Sequence, residues 1–133
     1  MKRLMILAVV AAMLLCCTAC GEEKKDTVDL TALSSTMVYS EVYNMLSNPG
    51  EYMGKTVKMQ GTMSVFEDSN TGNVYYACII ADATACCSQG LEFLLAEGDY
   101  PEAGAEITVT GTFGTYFEGE TQYCRLSDAK LVV

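Results

Sequence analysis

The chain has 133 residues, with 17 acidic side chains against 8 basic ones, seven cysteines, and neither His nor Trp. Such a length holds one small domain built on a single core. The absence of His excludes Ser-His-Asp and Cys-His catalysis and any zinc site that needs imidazole. The acidity opposes recognition of a phosphate backbone or of anionic lipid, both of which need clustered Lys and Arg.

Residues 1–20 begin with Lys2 and Arg3, continue through an apolar run over 4–15, and end Cys16-Cys17-Thr18-Ala19-Cys20. A short basic stretch before about a dozen apolar residues predicts an export signal. The run is too short for a stable membrane span. Its end resembles a bacterial lipobox. Thr18 and Ala19 fit that pattern before Cys20, while Cys17 stands where Leu is usual. Cys16 and Cys17 fit worse, because large or unusual residues precede them. Cys20 is therefore the residue expected to carry the lipid (palmitate and further acyl chains). The alternative is a secretory signal cleaved without lipidation. Loss of Lys2 and Arg3 would leave 6 basic against 17 acidic residues, a net of −11, which favours a soluble domain held off the membrane.

Residues 21–35 are polar, charged and aperiodic, and predict a flexible tether. Over 36–48 the pattern becomes helical, with Val38, Val42, Met45 and Leu46 on one face. Ser35 or Thr36 is placed to cap the start, and Pro49 ends the helix after Asn48. The chain then alternates with period two. Over 56–66, Val57, Met59, Met63 and Val65 predict the buried face of a strand. A polar turn cluster over 67–73 precedes a strand over 74–82 that is apolar on both faces, hence central. A Cys-rich turn over 83–90 leads to a short strand over 91–95, and a Gly/Pro loop spans 97–105. Ile107, Val109 and Phe113 mark the buried face of a strand over 106–116. A last strand runs over 121–126 and continues over 130–133 after a bulge at 127–129.

The first and fourth strands share a weak repeat. Gly54 to Met63 and Gly104 to Phe113 both read Gly-x-x-apolar-x-apolar-x-Gly-Thr-apolar. The first glycine of each copy suits the turn into the strand. The second, Gly61 or Gly111, lies on the buried face and lets the strand coil sharply. Two strongly bent strands suggest a small closed barrel. Five strands and one helix then predict an all-β chain with a five-stranded OB-like barrel and an N-terminal helix over 36–133, preceded by signal and tether. The run from Asn48 through Val57, followed by Gly61, resembles the entry to strand one in exported bacterial OB-fold proteins of the tRNA-anticodon-binding-like group. The stretch from Ala77 to Cys87, with Gln89 to Phe93, resembles a set of small bacterial lipoproteins. This resemblance implies an OB fold and is nearly silent on function. The usual helix between strands three and four is missing, and the helix before strand one is placed to take over its packing.

With Cys20 assigned, Cys78, Cys86, Cys87 and Cys124 remain. They are candidates for one or two disulfides, for small core residues, for a thiolate site binding Zn or Cu, or for redox chemistry at the Cys86-Cys87 pair. A bridge between adjacent cysteines needs a strained peptide, and no nearby base lowers a thiol pKa. Tyr75, Tyr76, Tyr116 and Tyr123, with Phe117, are candidates for an exposed ligand face, since OB barrels bind on strands two and three and the adjoining loops. Core packing explains the same rings. The carboxylates of Glu67, Asp68, Glu118 and Glu120 fit solvated turns.

The functional expectation is a non-enzymatic binding or adaptor domain, lipid-anchored on the extracytoplasmic side of the cell membrane. Its expected ligand is a protein or an oligosaccharide, nucleic acid is disfavoured by charge, and no cofactor is expected. The alternative is a thiol-based metal-binding lipoprotein, with Zn or Cu as cofactor.

Overall fold

A computed structural model describes residues 26–133. The signal, Cys20 and residues 21–25 of the expected tether lie outside the described residues. Regular structure is present before residue 36. Thr27–Asp29 forms a short strand (β1) and Leu30–Ala32 a 3-10 turn, so residues 27–35 are corrected from tether to folded domain. Two apolar side chains drive the change: Leu30 is 1 % exposed within the core, and Val28 packs against it. Asp29 stops the strand by accepting a hydrogen bond from Thr31 N at 3.0 Å.

The helix α1 spans Ser35–Ser47. It buries Val42 and Met45, with Val38 and Leu46 half-buried beside them. Its N-cap is Ser34, whose side chain makes no capping bond, and it ends at Asn48 before Pro49. Behind it, Tyr52 is buried edge-on against Phe113, with ring centres 6.0 Å apart. The Tyr52 hydroxyl donates to Glu41 at 2.7 Å and accepts from Asn44 at 2.6 Å. These bonds tie the chain leaving α1 back onto the helix.

Five longer strands follow: β2 Thr56–Glu67, β3 Val74–Ala81, β4 Ser88–Leu95, β5 Glu106–Glu118 and β6 Thr121–Leu131. Their order is β2-β3-β4-β6-β5, and β5 pairs again with β2, which closes the ring. All neighbours are antiparallel except β4 and β6, which run parallel. The chain is all-β with one helix, and its ring of strands is barrel-like, as strand count and bending lead one to expect. β1 lies parallel to Thr56–Lys58 on the edge of β2 that β3 does not reach. It covers backbone groups that would otherwise face solvent as an open edge. α1 packs on β3 and β4, the role expected of it in place of a helix between β4 and β5.

The alternation found in the sequence is the barrel's inside and outside. Val57, Met59, Met63, Cys78, Leu91, Phe93, Val109, Phe113 and Leu126 all point inward and are essentially fully buried. Val65 departs from the expected face and is exposed, because the β2–β3 hairpin has left the closed part of the barrel there.

The repeat is a local two-fold. Residues 50 positions apart make equivalent bonds: Gly54 N donates to Phe113 O at 2.9 Å and Gly104 N to Met63 O at 2.8 Å. Phe113 N donates to Lys55 O at 2.9 Å, and Met63 N to Ala105 O at 2.8 Å. Gly54 and Gly104 both take positive φ, of 77° and 91°, the conformation in which glycine avoids the steric penalty of a Cβ. Gly61 stands next to the point where β2 passes from β5 to β3, and Gly111 near the end of the β2–β5 pairing, where β6 runs along the other edge of β5. A Cβ at Gly61 would lie 2.3 Å from the Ile79 carbonyl oxygen. At Gly111 it would lie 3.0 Å from Leu126 Cβ and 3.0 Å from Ser127 O. The expected bulge of the last strand is there: Asp128 and Ala129 occupy the space opposite Gly111, with Asp128 at φ 50°.

Candidate functional site

Beyond Gly61 and Gly111 the far halves of β2 and β5 part, each carried by its own hairpin. The β2–β3 hairpin is closed by the polar turn at 68–73, where Asp68 N donates to Asn73 O at 2.9 Å and Asp68 Oδ1 accepts from Asn70 N at 2.8 Å. Gly119 at φ 60° closes the β5–β6 hairpin. A groove of about 260 Å³ lies between them.

Each hairpin presents one cross-strand aromatic pair to this groove. Phe66 stands opposite Tyr75, with ring centres 6.2 Å apart, and Tyr116 opposite Tyr123 at 5.7 Å. Phe66 and Tyr116 are 50 residues apart, so the repeat carries one wall of the groove onto the other. Two carboxylates tie the walls. The Tyr75 hydroxyl donates to Glu118 Oε1 at 2.6 Å, which joins β3 to β5 across the groove. The Tyr116 hydroxyl donates to Glu92 on β4. Asp68, Ser64 and Ala77 complete the lining.

The electrostatics follow from these bonds. The hydrogen bond to Glu118 raises the Tyr75 phenol above its ordinary 10, with burial adding to the shift. Burial first, then the Glu92 bond, pushes Tyr116 up well beyond that. Both rings therefore stay neutral donors while the carboxylates keep spare lone pairs. The Arg125 guanidinium covers the Tyr116 ring, 4.5 Å from its centre, a cation–π contact.

Tyr75, Tyr116 and Tyr123 are thus brought together, and Tyr76 is not. Adjacent to Tyr75 on β3, it points to the opposite face, where it stacks on Tyr100 at 3.6 Å and packs on the core. Phe117, adjacent to Tyr116, is exposed and does not line the groove. Sequence reasoning missed Phe66, Glu92 and the bridging role of Glu118. Extending the repeat three residues past Met63 and Phe113 pairs Phe66 with Tyr116 and was the available signal.

The four cysteines among the described residues are unbridged. Cys78 faces the core beneath Gly61, and burial pushes its thiol up to about 12. Cys124 is half-buried on β6, where burial raises its thiol as well. β4 lies between their strands, so they stand about 9–10 Å apart, farther than a disulfide spans. Cys86 and Cys87 are exposed in the β3–β4 turn. The level of Cys124 corresponds to Leu91 on β4, roughly 13–17 Å along the strand from that pair. No group of three or more His, Cys, Asp or Glu side chains placed to hold a metal exists among the described residues. Of the readings open for Cys78, Cys86, Cys87 and Cys124, the buried position of Cys78 is that of a small core residue. Asp82 organises the turn, accepting from Thr84 N at 3.1 Å and Cys86 N at 2.9 Å.

A second hollow of about 390 Å³ lies between the Leu30–Val38 stretch and β2–β3. Its lining holds no aromatic ring and a single titratable side chain, Glu106. None of the described helices is long and apolar enough to cross a membrane.

No protein-family model matches the chain. Curated proteins give no match either. Among solved structures, the chain is similar to one described as a "putative nucleic acid-binding lipoprotein" from Klebsiella pneumoniae subsp. pneumoniae. The two are 16% identical, the match covers 81% of this chain and 92% of that one, and the TM-score is 0.42. Likeness at that level carries no weight for ligand or mechanism.

Proposed function

We propose that this chain is a non-enzymatic binding domain, anchored by a lipid on Cys20 to the extracytoplasmic side of the cell membrane, that takes its ligand in the groove between the two hairpins. One observation supports the site above others: two symmetry-related aromatic pairs from β2, β3, β5 and β6 converge on one open groove with carboxylates at its centre. Aromatic faces beside hydrogen-bonding groups suit a side chain of a protein partner or a sugar ring. The groove holds no nucleophile paired with a base, which fits binding rather than catalysis. The excess of acidic residues disfavours a nucleic acid ligand.

Two measurements test the two halves. Cys20→Ala should move the protein from the membrane to the soluble fraction, and retention on the membrane would refute the anchor. Because the chain has no Trp, its eight tyrosines report on the groove by their own fluorescence. Titration with a panel of peptides and oligosaccharides should give a saturable change that Tyr123→Ala weakens. No response to any member, or a response that Tyr123→Ala leaves intact, would refute the groove.

A further inference from the structure

Resting on that groove, we propose that its occupant is a lysine- or arginine-bearing segment of a protein partner, with ammonium or guanidinium groups seated on the aromatic pairs and against the carboxylates between them. Phe66 is 64 % exposed and Tyr123 44 %, in a domain whose other phenylalanines include two that are fully buried, Phe93 and Phe113. Ring faces carry partial negative charge and attract cations. One such seat is already filled from within the chain, by Arg125 on Tyr116.

Hydrogen bonding points the same way. The Tyr75 and Tyr116 hydroxyl protons are committed to Glu118 and Glu92. A carboxylate accepts about four hydrogen bonds, so acceptors outnumber the remaining donors, the Ser64 and Tyr123 hydroxyls, and the groove favours a ligand that brings donors. Asp68, Glu92 and Glu118 line it, with Arg125 beside them. The remaining basic residues from 26 to 133 lie elsewhere: Lys55 pairs with Asp26, Lys58 with Asp29, and Lys130 lies beside Glu97 and Asp99. A phosphate or uronic acid would be repelled, and a neutral sugar, although its hydroxyls can donate to the carboxylates, would leave their charge unbalanced. At about 260 Å³ the groove is below the usual range of small-molecule pockets, roughly 300–1,000 Å³. It takes one or two side chains, and the rest of the ligand lies outside it.

The test uses the full chain in a polyoxyethylene detergent, which carries neither charge nor sugar. Four probes are titrated by tyrosine fluorescence: a capped peptide alternating arginine and serine, the same peptide with glutamate for arginine, spermidine, and a neutral chitin oligosaccharide. The arginine peptide should bind saturably and weaken as salt rises past about 0.15 M. Its affinity should fall roughly 2- to 30-fold in Phe66→Ala or Tyr123→Ala, and again in Glu118→Gln, a variant that keeps shape and removes charge. All three positions are exposed, and a circular-dichroism melt verifies that each variant folds. Spermidine binding as tightly as the peptide would overturn the protein segment in favour of a small amine. Binding of the oligosaccharide or the glutamate peptide instead, with the same dependence on Tyr123, would overturn the cation and leave the groove standing. Failure of all four probes, or peptide binding indifferent to the variants, would remove the groove as well.

Discussion

Gly61→Ala is the sharpest test of how this barrel closes. The new Cβ would sit 2.3 Å from the Ile79 carbonyl oxygen and 3.0 Å from Cys78 Sγ. The oxygen belongs to the β3 backbone, beside the Thr62–Ile79 pairing of the sheet, and cannot rotate aside as a side chain can. Relief requires separating β2 from β3 at the point where β2 changes partner. Overpacking of this kind costs about 1–3 kcal/mol, and a weakened ladder bond adds about 1 kcal/mol. Against this, alanine restricts the unfolded chain and returns about 0.4–1 kcal/mol. A net loss of about 1–3 kcal/mol lowers the melting temperature of a domain of about a hundred residues by roughly 5–15 °C. Gly111→Ala meets its nearest atoms at 3.0 Å and should fall less far. Gly114 in β5 has nothing within 4 Å of its notional Cβ and no positive φ. Gly114→Ala should therefore hold or gain up to about 1 kcal/mol. Urea and thermal unfolding by far-UV circular dichroism rank the three. If Gly61→Ala and Gly114→Ala agree within about 0.5 kcal/mol, the close approach at Gly61 does not constrain the fold.

Tyr52→Phe should lose about 1 kcal/mol by deleting the hydroxyl shared with Glu41 and Asn44, and Tyr52→Ala about 3–5 kcal/mol by emptying the core against Phe113; equal losses in urea unfolding would contradict that division. Pulse alkylation near pH 8, mapped by peptide mass spectrometry, should label the exposed Cys86 and Cys87 first and Cys124 more slowly. Cys78, buried with its thiol pushed up to about 12, should react only on unfolding, and its rapid labelling in the folded chain would refute its place in the core. Three carboxyls sit below the ordinary 3.8: Asp29 through its bond from the Thr31 side chain, Asp68 through the Asn70 amide, and Asp82 because bonds from Thr84, Cys86 and Cys87 outweigh its desolvation. A depressed folded value contributes stability above the unfolded value and loses it as pH falls through the folded one. The urea midpoint should thus drop below about pH 4, less steeply in a variant with all three changed to Asn; an unchanged slope would show that these turns do not drive acid sensitivity.

The long elements were legible because inside-outside alternation survives in any register. Cys78 shares the parity of Ile80, but both faces of that strand are apolar, so the sequence left a core role open beside a disulfide or a metal ligand. β1 escaped notice because two apolar anchors, Val28 and Leu30, stand among polar residues, and the strand exists only through pairing with β2 some 29 residues away. Ser88–Gly90 looked like turn because strand propensity there is low, yet pairing with Ile79–Ala81 extends β4 through it. Tyr76 was grouped with Tyr75 on residue type, although adjacent residues on a strand face opposite ways. Its partner Tyr100 comes from the 97–105 loop, so no spacing within β3 could have supplied it.

The groove follows from the same glycines that close the barrel. β2 and β5 pair with each other up to Thr62 and Thr112, one residue past Gly61 and Gly111, and beyond that β2 continues with β3 alone and β5 with β6 alone. There the two hairpins separate. Phe66 and Tyr116 are equivalent residues on the two departing strands, five positions beyond their glycines. Tyr75 and Tyr123 face them across each hairpin. A half-repeat that first reads as a way to bend two strands therefore also sets two aromatic pairs against each other. The carboxylates break the symmetry. Glu118 bridges to Tyr75, while Asp68, its counterpart 50 residues earlier, turns its oxygen to the Asn70 amide in its own turn. One wall thus supplies the tie across the groove while the other keeps its hairpin closed, so loss of Glu118 should loosen the groove without touching the barrel beneath it.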